Sequence, residues 1–316
     1  MAKKKILICG ATGFIGKNLA ETFAGREDYD VKGVFHIRPP FECQGLEWIQ
    51  ADLTQSKGVD SCVSQVDCII QAAATTSGVN DIVARPYIHV TDNALMNSLI
   101  FRAAFEHKVA QVIFFSCSIM YPSGSDPVKE TDFNAGNNMH PKYFGAGWTK
   151  VYLEKMCQFY SEIGPTKYTV VRHSNNYGPH DKFDLEHSHV FGATVTKVLS
   201  ANDGKMVVWG DGQEERDFLY VSDLVEFVRL AIDKQDPSFC LCNVGYGSSI
   251  SISELVKKII SASGKEITIE YDKSKPSIKT SLSLDCTEAK TVFGWEPRIT
   301  LDEGIQKTIN WYHANM

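Results

Sequence analysis

A glycine-rich turn near the start of the chain restricts the possible folds more than any other feature. The segment Gly10-Ala11-Thr12-Gly13-Phe14-Ile15-Gly16 follows the apolar run Ile6–Cys9 directly and opens an amphipathic stretch at Phe14–Phe23. Glycine permits a tight turn and a close backbone approach to a pyrophosphate, and a helix N-terminus offers free N–H groups. We therefore predict a strand–turn–helix unit that binds a dinucleotide through Gly10, Thr12, Gly13, Phe14, Ile15 and Gly16.

Short apolar runs alternate with helical patterns through the first half of the chain. Further strands are predicted at Val31–Phe35, Cys68–Ala73, Gln111–Phe115 and Tyr168–Val171, and further helices near Tyr87–His107 and Phe144–Tyr160. Strands that alternate with helices form a parallel sheet, and near-continuous apolar strands indicate that both faces of the sheet are covered. The predicted fold class is α/β, with a doubly wound parallel sheet.

The second half has shorter and less regular elements. It contains predicted helices at Ser253–Ser263 and Leu301–Ala314 and a predicted strand at Ile267–Tyr271. We expect residues 1–175 to form an NAD(P)-binding Rossmann domain. Residues 176–316 should mainly form a smaller C-terminal α/β lobe for the substrate, with some segments returning to the first domain. That lobe would cover the carboxyl ends of the strands, where open α/β sheets bind ligands.

Net charge and cysteine usage exclude several classes of protein. The formal net charge is −6 and no long basic run follows the first residues, so non-specific nucleic-acid binding is not expected. The nine cysteines include no C-x-x-C pair, which argues against a disulfide framework or a metal site and favours a reducing, cytoplasmic location. The run Ile6–Cys9 is too short for a secretory signal, and no run of about 18 apolar residues predicts a membrane span.

The residues after the second predicted strand bear on the choice of coenzyme. An acidic residue about 20 positions after the glycine turn would bind the ribose hydroxyls of NAD. Here His36 stands at that position, with Arg38 close by. A basic pair suits a 2′-phosphate, so NADP is favoured over NAD. The alternative is that both side chains are solvated turn residues.

The glycine spacing and several later motifs resemble the extended short-chain dehydrogenase/reductase family, the NAD-dependent epimerases and dehydratases. The motifs span essentially the whole chain: Asp52-Leu53, Gln71-Ala72-Ala73-Ala74, Asn93, Arg172-His173-Ser174-Asn175-Asn176-Tyr177-Gly178-Pro179, Trp209-Gly210-Asp211-Gly212, Arg216-Asp217-Phe218, Val221-Ser222-Asp223, Asn243-Val244-Gly245 and Phe293-Gly294-Trp295-Glu296-Pro297. The resemblance implies a homodimer paired through the helix that bears Lys150. It also implies coenzyme contacts from Asp52, Leu53, Ala72, Ala73, Ala74, Asn93, Ser116, Lys150 and His173.

Within that family, one segment is similar to the GDP-L-fucose synthases and related enzymes of GDP-hexoses and GDP-heptoses. It consists of Pro179-His180-Asp181-Lys182-Phe183 followed by Ser188-His189-Val190. The likeness implies that His189 is an acid/base group for epimerisation and that Lys197 and Arg216 bind the diphosphate, for which an ammonium and a guanidinium are suited. The remaining substrate contacts that it implies are Asn175, Val190, Trp209 and Lys279.

The catalytic pattern of the family is incomplete in this chain. The family pairs a Tyr acid/base with a Lys four residues later; here Lys150 is preceded at that distance by Ala146. Three explanations are open: a deliberate Tyr→Ala substitution, which we favour, the use of Tyr143 instead, or different or no chemistry. Losing a positioned acid/base costs about 10²- to 10⁴-fold in rate, so we expect the chain as it stands to be nearly inactive.

The family's Ser/Thr position is also altered. Four residues before Tyr121 stands Cys117, whose thiol is a poorer donor than a hydroxyl, and Ser116 and Ser118 are the alternative donors. Ile119 occupies the position of an epimerising Cys in fucose synthases, which puts double epimerisation in doubt, and the Asp-Glu pair of dehydratases is absent.

The function that follows is hydride transfer at C4 of a nucleotide-linked hexose or heptose, with a GDP-linked sugar favoured, in surface polysaccharide or deoxysugar biosynthesis. The alternatives are a catalytically impaired NAD(P)-binding sensor or scaffold and a nucleotide-sugar C4 epimerase.

Overall fold

Parallel strands form a central sheet whose carboxyl ends define one edge of the molecule. The computed structural model describes residues 2–75, 85, 87–136, 139–185, 188–275 and 280–316. The strands are β1 Lys4–Cys9, β2 Tyr29–Phe35, β3 Leu46–Gln50, β4 Cys68–Gln71, β5 Gln111–Phe115, β6 Lys167–His173, β7 Asn175–Tyr177, β8 Lys205–Trp209, β9 Glu215–Tyr220, β10 Phe239–Val244, β11 Ser249–Ser251 and β12 Thr268–Asp272. The helices are α1 Phe14–Ala24, α2 Ser56–Val63, α3 Ile88–Glu106, α4 Phe144–Ile163, α5 Val190–Ser200, α6 Val221–Lys234, α7 Ile252–Ser263, α8 Thr287–Phe293 and α9 Leu301–Asn315.

The main sheet has seven strands in the order β10-β6-β5-β4-β1-β2-β3. All of its neighbouring pairs are parallel. The chain leaves β1 toward β2 and β3 and then returns to the other side of β1 with β4. The order therefore reverses between β1 and β4, and a crevice outside the carboxyl ends of these strands is the expected ligand site of such a sheet.

Apolar residues cover both faces of the sheet, as predicted. On one face, Phe23, Phe227 and Trp295 from α1, α6 and the segment after α8 pack against alternate strand residues. On the other face, Phe101 and Leu153 from α3 and α4 do the same, together with residues of α2. The predicted doubly wound α/β fold is confirmed, and every predicted strand and helix is present to within three residues at each end.

The remaining elements form a smaller part with its own core. It contains the sheets β11-β9-β7 and β12-β8 and the helices α5, α7 and α9. Its core includes Tyr177, Phe191 and Leu255. Elements of the second half also return to the main sheet: β10 pairs with β6, and α6 and α8 pack on the face that α1 covers. The domain boundary at residue 175 stays a prediction.

Within the part of the chain that the structure describes, no helix is both long and apolar enough to cross a lipid bilayer.

Candidate functional site

The turn between β1 and α1 leaves no room for side chains at two of its glycines. Gly10 has a φ of +75°, and a Cβ there would lie 2.6 Å from the Cα of Ala73. A Cβ on Gly16 would collide with the carbonyl oxygen of Gly10. The turn is therefore a backbone cradle that is held against the end of β4.

The N-terminus of α1 is open to an anion. Gly13 is its N-cap without a side-chain hydrogen bond, and the first turn contains no acidic residue. Thr12, Phe14 and Ile15 are half-buried around the turn. Free amides at a helix N-terminus bind phosphate groups. The residues present thus fit the pyrophosphate of a dinucleotide.

Residues after β2 and β3 lie at the far end of this cradle. Arg38 is exposed and donates from Nη1 to the carbonyl oxygen of Thr12 at 3.0 Å, while His36 is also exposed. Asp52 accepts from the backbone N–H and the hydroxyl of Thr54 at 2.9 and 2.7 Å, and these bonds hold the pKa of its carboxyl below the usual value. Leu53 is buried beside it.

The segment that follows β4 is held in place by hydrogen bonds to β1 and α3. Ala72 donates its N–H to the carbonyl oxygen of Cys9 at 3.2 Å, Ala73 is half-buried and Ala74 is exposed. The Asn93 carboxamide donates to the carbonyl oxygen of Thr75 at 3.0 Å and accepts from its N–H at 3.1 Å. Asn93 therefore fixes the backbone along the crevice rather than offering its amide to a ligand.

Lys150 lies at the carboxyl end of β5. Its Nζ donates to the carbonyl oxygen of Phe115 at 2.7 Å and lies 4.8 Å from the centre of the Phe114 ring. Burial lowers the pKa of this ammonium, and the nearby Cys117 and Glu154 oppose that shift. The amine is thus fixed at the floor of the crevice with little solvent around it.

Tyr143 enters the crevice from a 3₁₀ turn, Pro141–Tyr143, that precedes α4. The His140 ring caps this turn by accepting from the Lys142 N–H at 3.3 Å. Burial raises the pKa of the Tyr143 phenol, Arg216 acts in the opposite direction, and the Cys117 thiol adds to the rise. Ala146 is half-buried in the first turn of α4 and offers only a methyl group.

Two histidines face the same region. His173 ends β6, and its Nδ1 lies 2.8 Å from both the Ser174 carbonyl oxygen and Asn176 Nδ2. Burial lowers its pKa to about 4, and the positive charges of Lys150 and His189 act in the same direction. His189 is the N-cap residue of α5. More than a third of its side chain is accessible although protein surrounds it on most sides and lowers its pKa, as in the wall of a crevice.

Electrostatic interactions join Cys117, Tyr143, Lys150, His173, His189 and Arg216, so the structure brings these six side chains together at the predicted crevice. The two hydroxyl donors predicted from the sequence, Ser116 and Ser118, are both buried. Ser116 is 2 % exposed and donates to Glu154 Oε1 at 2.5 Å, so it is not available to polarise a ligand oxygen. Ser118 is buried, whereas Cys117 keeps accessible surface.

The predicted substrate residues lie on the smaller part of the molecule. Arg216 donates from Nη1 to the carbonyl oxygen of Thr280 at 2.7 Å, and burial lowers its pKa. Lys197 donates to the Val207 carbonyl oxygen at 3.0 Å and lies 5.5 Å from the centre of the Trp209 ring, which is 42 % exposed.

Three further predicted substrate residues complete the set. Asn175 is exposed, and its Nδ2 donates to the carbonyl oxygen of Asp217 at 3.1 Å. Val190 is half-buried in the first turn of α5. Lys279 lies outside the described residues.

Sequence reasoning missed a buried polar network below the crevice. Glu154 and Arg172 form a buried ion pair at 2.6 Å between Oε2 and Nη2. Arg172 also donates to the Tyr121 hydroxyl at 2.8 Å, which in turn donates to Asn243 Oδ1 at 2.8 Å. A carboxylate on the lysine-bearing face of α4 and an arginine in an apolar strand were the signals that could have revealed it.

Comparisons with known proteins agree with this architecture. Residues 6–245 match the model of a family described as "NAD dependent epimerase/dehydratase family". The chain is 29% identical to the GDP-L-colitose synthase of Yersinia pseudotuberculosis, covering 98% of this chain and 97% of that protein. It is 27% identical to the GDP-L-fucose synthase of Escherichia coli K12, covering 100% and 98% of the two chains.

Solved structures share the fold. A UDP-glucose 4-epimerase of Thermotoga maritima with UDP-glucose superposes with a TM-score of 0.86 at 22% identity, covering 98% of this chain and 99% of the other. MoeE5 in complex with UDP-glucuronic acid and NAD gives a TM-score of 0.85 at 23% identity, covering 99% and 100% of the chains. These likenesses show the fold alone.

Proposed function

Because this chain belongs to the NAD dependent epimerase/dehydratase family, we propose that it is an NAD(P)-dependent oxidoreductase or epimerase acting at C4 of a nucleotide-linked hexose or heptose. The observation that carries this proposal is the crevice in which Lys150, Tyr143, His189 and Arg216 converge beside the glycine turn. Proton-transfer groups and an anion-binding cation facing a dinucleotide cradle are what such a reaction requires.

The coenzyme would bind along the glycine turn with its pyrophosphate at the N-terminus of α1. When bound, its nicotinamide supplies or accepts a hydride. We infer that NADP is preferred, because Arg38 lies over the turn at Thr12 and no acidic side chain stands at position 36 or 38. Asp52 and Leu53 would contact the adenine end, while Asn93 keeps the segment after β4 in place.

Of the three explanations for Ala146, we propose the second: Tyr143 carries out proton transfer at the sugar oxygen, and the chain as it stands is active rather than nearly inactive. The Tyr143 phenol lies near Cys117 and Arg216, and burial raises its pKa further above neutral pH, where a phenol is already protonated. A protonated phenol can donate to the oxygen that develops negative charge when a 4-keto group is reduced. The Cys117 thiol occupies the family's Ser/Thr position and is the second donor toward that oxygen.

The diphosphate would be held by the smaller part of the molecule. Arg216 and Lys197 both have pKa values lowered by burial, which indicates cations that are poorly solvated and that an anion would stabilise. A GDP-linked sugar is the form that we propose, since a GDP-L-colitose synthase and a GDP-L-fucose synthase are among the relatives that this chain matches over nearly their full length.

A homodimer is the proposed assembly. The outer faces of α3 and α4 expose large apolar side chains that no other described element covers: Leu95, Phe144, Tyr152, Phe159 and Ile163. Contiguous apolar side chains on two adjacent helices are typical of a subunit interface. Pairing two copies through these helices would bury them.

Enzyme assays with a GDP-linked 4-keto sugar and NADPH test the proposed activity. Tyr143→Phe should lower kcat by about 10²- to 10⁴-fold, because a ring C–H replaces the proton-donating hydroxyl. The matched control is Tyr312→Phe on α9, whose ring packs on Phe183 away from the crevice. Unchanged turnover in Tyr143→Phe, together with a large gain in Ala146→Tyr, would instead assign the proton transfer to position 146.

The methyl group of Ala146 favours a second candidate, a non-catalytic NAD(P)-binding sensor or scaffold. Calorimetric titration with GDP and with UDP separates the two functions. An enzyme of nucleotide sugars binds at least one of them in competition with the sugar nucleotide, with Arg216→Gln weakening the affinity. Coenzyme binding without any nucleoside diphosphate binding would support the sensor.

A further inference from the structure

The carboxyl end of β5 is joined to α4 at two points, one at Phe115 and one at Ser116. At the first point, Lys150 Nζ donates to the carbonyl oxygen of Phe115 at 2.7 Å. At the second point, the Ser116 hydroxyl donates to Glu154 Oε1 at 2.5 Å. Residues four apart share one face of a helix, so Lys150 and Glu154 hold the same strand end from consecutive turns.

Arg172 holds Glu154 in this position. Its Nε and Nη2 donate to Glu154 Oε1 and Oε2 at 3.0 and 2.6 Å, a bidentate pair in which the carboxylate cannot rotate. Both side chains are nearly inaccessible, at 3% for Arg172 and 4% for Glu154. The guanidinium is also enclosed by the rings of Tyr121 and Phe133, whose centres lie 5.0 and 5.4 Å away.

The same guanidinium stabilises the loop that carries Cys117. Its Nη1 donates to the Tyr121 hydroxyl at 2.8 Å and to the carbonyl oxygen of Glu130 at 3.2 Å. The Tyr121 hydroxyl donates onward to Asn243 Oδ1 on β10 at 2.8 Å. One buried cation therefore connects α4, β6 and two points of the segment after β5, and through Tyr121 it is also linked to β10.

We propose that Glu154 and Arg172 are positioning residues of this site: they fix the position of Lys150 relative to the loop bearing Cys117 under the ligand crevice. This inference rests on the proposed function for its kinetic consequence, but its electrostatic consequence can be measured without turnover. An ion pair kept only for stability would not need ties to both the lysine-bearing helix and the loop facing the ligand.

Glu154→Gln tests the inference because it preserves shape and removes one charge. The Glu154 carboxylate raises the pKa of both the Lys150 ammonium and the Cys117 thiol, so its removal lowers both. The alkylation rate of Cys117 by iodoacetamide, followed by peptide mass mapping, should therefore rise at lower pH than in the parent protein. The other titratable or charged groups that act in this region are Tyr143, Cys157, Arg172 and His173, and the backbone N–H of Ile119 donates to the Cys117 sulfur.

Turnover supplies the second readout. Small displacements of a catalytic group cost up to about 10²-fold in rate, so kcat of Glu154→Gln should fall on that scale while KM changes much less. The alkaline limb of the rate profile should move to lower pH together with the pKa of Lys150. The control is Glu162→Gln, an exposed carboxylate on the same helix that accepts only from Gln158 at 3.3 Å; it should change neither profile.

If Glu154→Gln fails to fold, Tyr121→Phe provides the test. It keeps the ring over Arg172 and removes the hydroxyl that joins Arg172 to Asn243, so kcat should fall with no shift of the Cys117 alkylation profile. A folded Glu154→Gln with an unshifted alkylation profile, or a Tyr121→Phe with parental kcat, overturns the inference. Absence of nucleotide-sugar turnover in the parent protein would refute the proposed function alone, since the alkylation profile does not depend on it.

Discussion

Individual side chains in the crevice are tuned mainly by burial. Protein on most sides raises the pKa of the Cys117 thiol and the Tyr143 phenol and lowers that of the Lys150 ammonium. Desolvation always disfavours the charged form, whether that is the deprotonated form, as in a thiol or a phenol, or the protonated form, as in an amine. The crevice therefore holds neutral proton donors beside a weakly solvated amine, a state suited to protonating a ligand oxygen.

His173 gives the clearest pH prediction at this scale. Its pKa is about 4 in the folded protein and about 6.5 in an unfolded chain. Between these two pKa values, only the unfolded chain binds the proton. The contribution of His173 to the free energy of unfolding is therefore complete above the pKa of the unfolded chain, and it is lost as the pH falls toward the pKa of the folded protein. In urea unfolding, the free energy of unfolding of the parent should fall as the pH is lowered from about 7.5 to about 5. Over the same interval, that of His173→Gln should fall by about 1–3 kcal/mol less.

A pH dependence of unfolding in His173→Gln that runs parallel to that of the parent chain would contradict the assigned environment of His173.

The glycine turn gives a second prediction for a single residue. Gly16→Ala places a methyl group against the Gly10 carbonyl oxygen, so the turn must open. Overpacking of this kind costs about 1–3 kcal/mol, and coenzyme affinity should be lost with the cradle. Gly124→Ala is the control, because a methyl group there would meet no atom within 4 Å. Fluorescence titration with NADPH and urea unfolding measure the two effects; equal behaviour of both variants would contradict a tight turn.

At the scale of elements, helix ends are set by residues outside the apolar pattern. The hydroxyls of Ser251 and Thr300 accept from backbone N–H groups in the first turns of α7 and α9. Gly264 and Gly294 take left-handed conformations where α7 and α8 end. These caps explain why the predicted bounds of α7 and α9 were nearly correct from sequence.

The capping box of α9 can be tested directly. Thr300 accepts from the Glu303 N–H, and Glu303 Oε2 accepts from the Thr300 N–H at 3.0 Å. Thr300→Ala removes the side-chain acceptor of this reciprocal pair and should destabilise the protein by about 1 kcal/mol. Thr22→Ala, at an exposed site in the last turn of α1, should change the free energy of unfolding by no more than about 0.5 kcal/mol. Equal losses in urea unfolding would show that the cap contributes nothing.

At the scale of the whole molecule, the two parts meet around the loop that follows β7. Asn18 of α1 donates to the carbonyl oxygen of Pro179 at 2.9 Å, and His180 Nε2 lies 2.8 Å from Glu21 Oε2. The His180 ring also contacts Trp311 of α9, edge to face. The helix that starts at the glycine turn is thereby connected to the part that bears Arg216.

The proposed homodimer is tested at this scale. Tyr152→Glu combined with Phe159→Glu introduces two charges into the exposed apolar face of α4, whose burial would then be unfavourable. Size-exclusion chromatography with light scattering should show a dimeric parent and a monomeric variant. Leu185→Glu, at an exposed apolar residue outside α3 and α4, should leave the mass unchanged. A monomeric parent, or a variant that stays dimeric, would refute the proposed interface.

Sequence alone determined the features that depend on near neighbours in the chain. The spacing of Gly10 and Gly16, the apolar runs of β1 and β5 and the amphipathic pattern of α1 are local, and they were sufficient to predict the doubly wound sheet. The position of Lys150 on a helix was predictable for the same reason, because helical periodicity needs only residues a few positions apart.

Only the tertiary structure decided which polar groups face the crevice. Ser116 and Cys117 are adjacent in sequence, yet Ser116 donates to Glu154, 38 positions away, and Cys117 keeps accessible surface. The return of β10 to the main sheet and the link from Arg172 through Tyr121 to Asn243 likewise join residues that are distant in the chain. A side chain's direction at a strand end depends on such partners, and these partners are brought close only by folding.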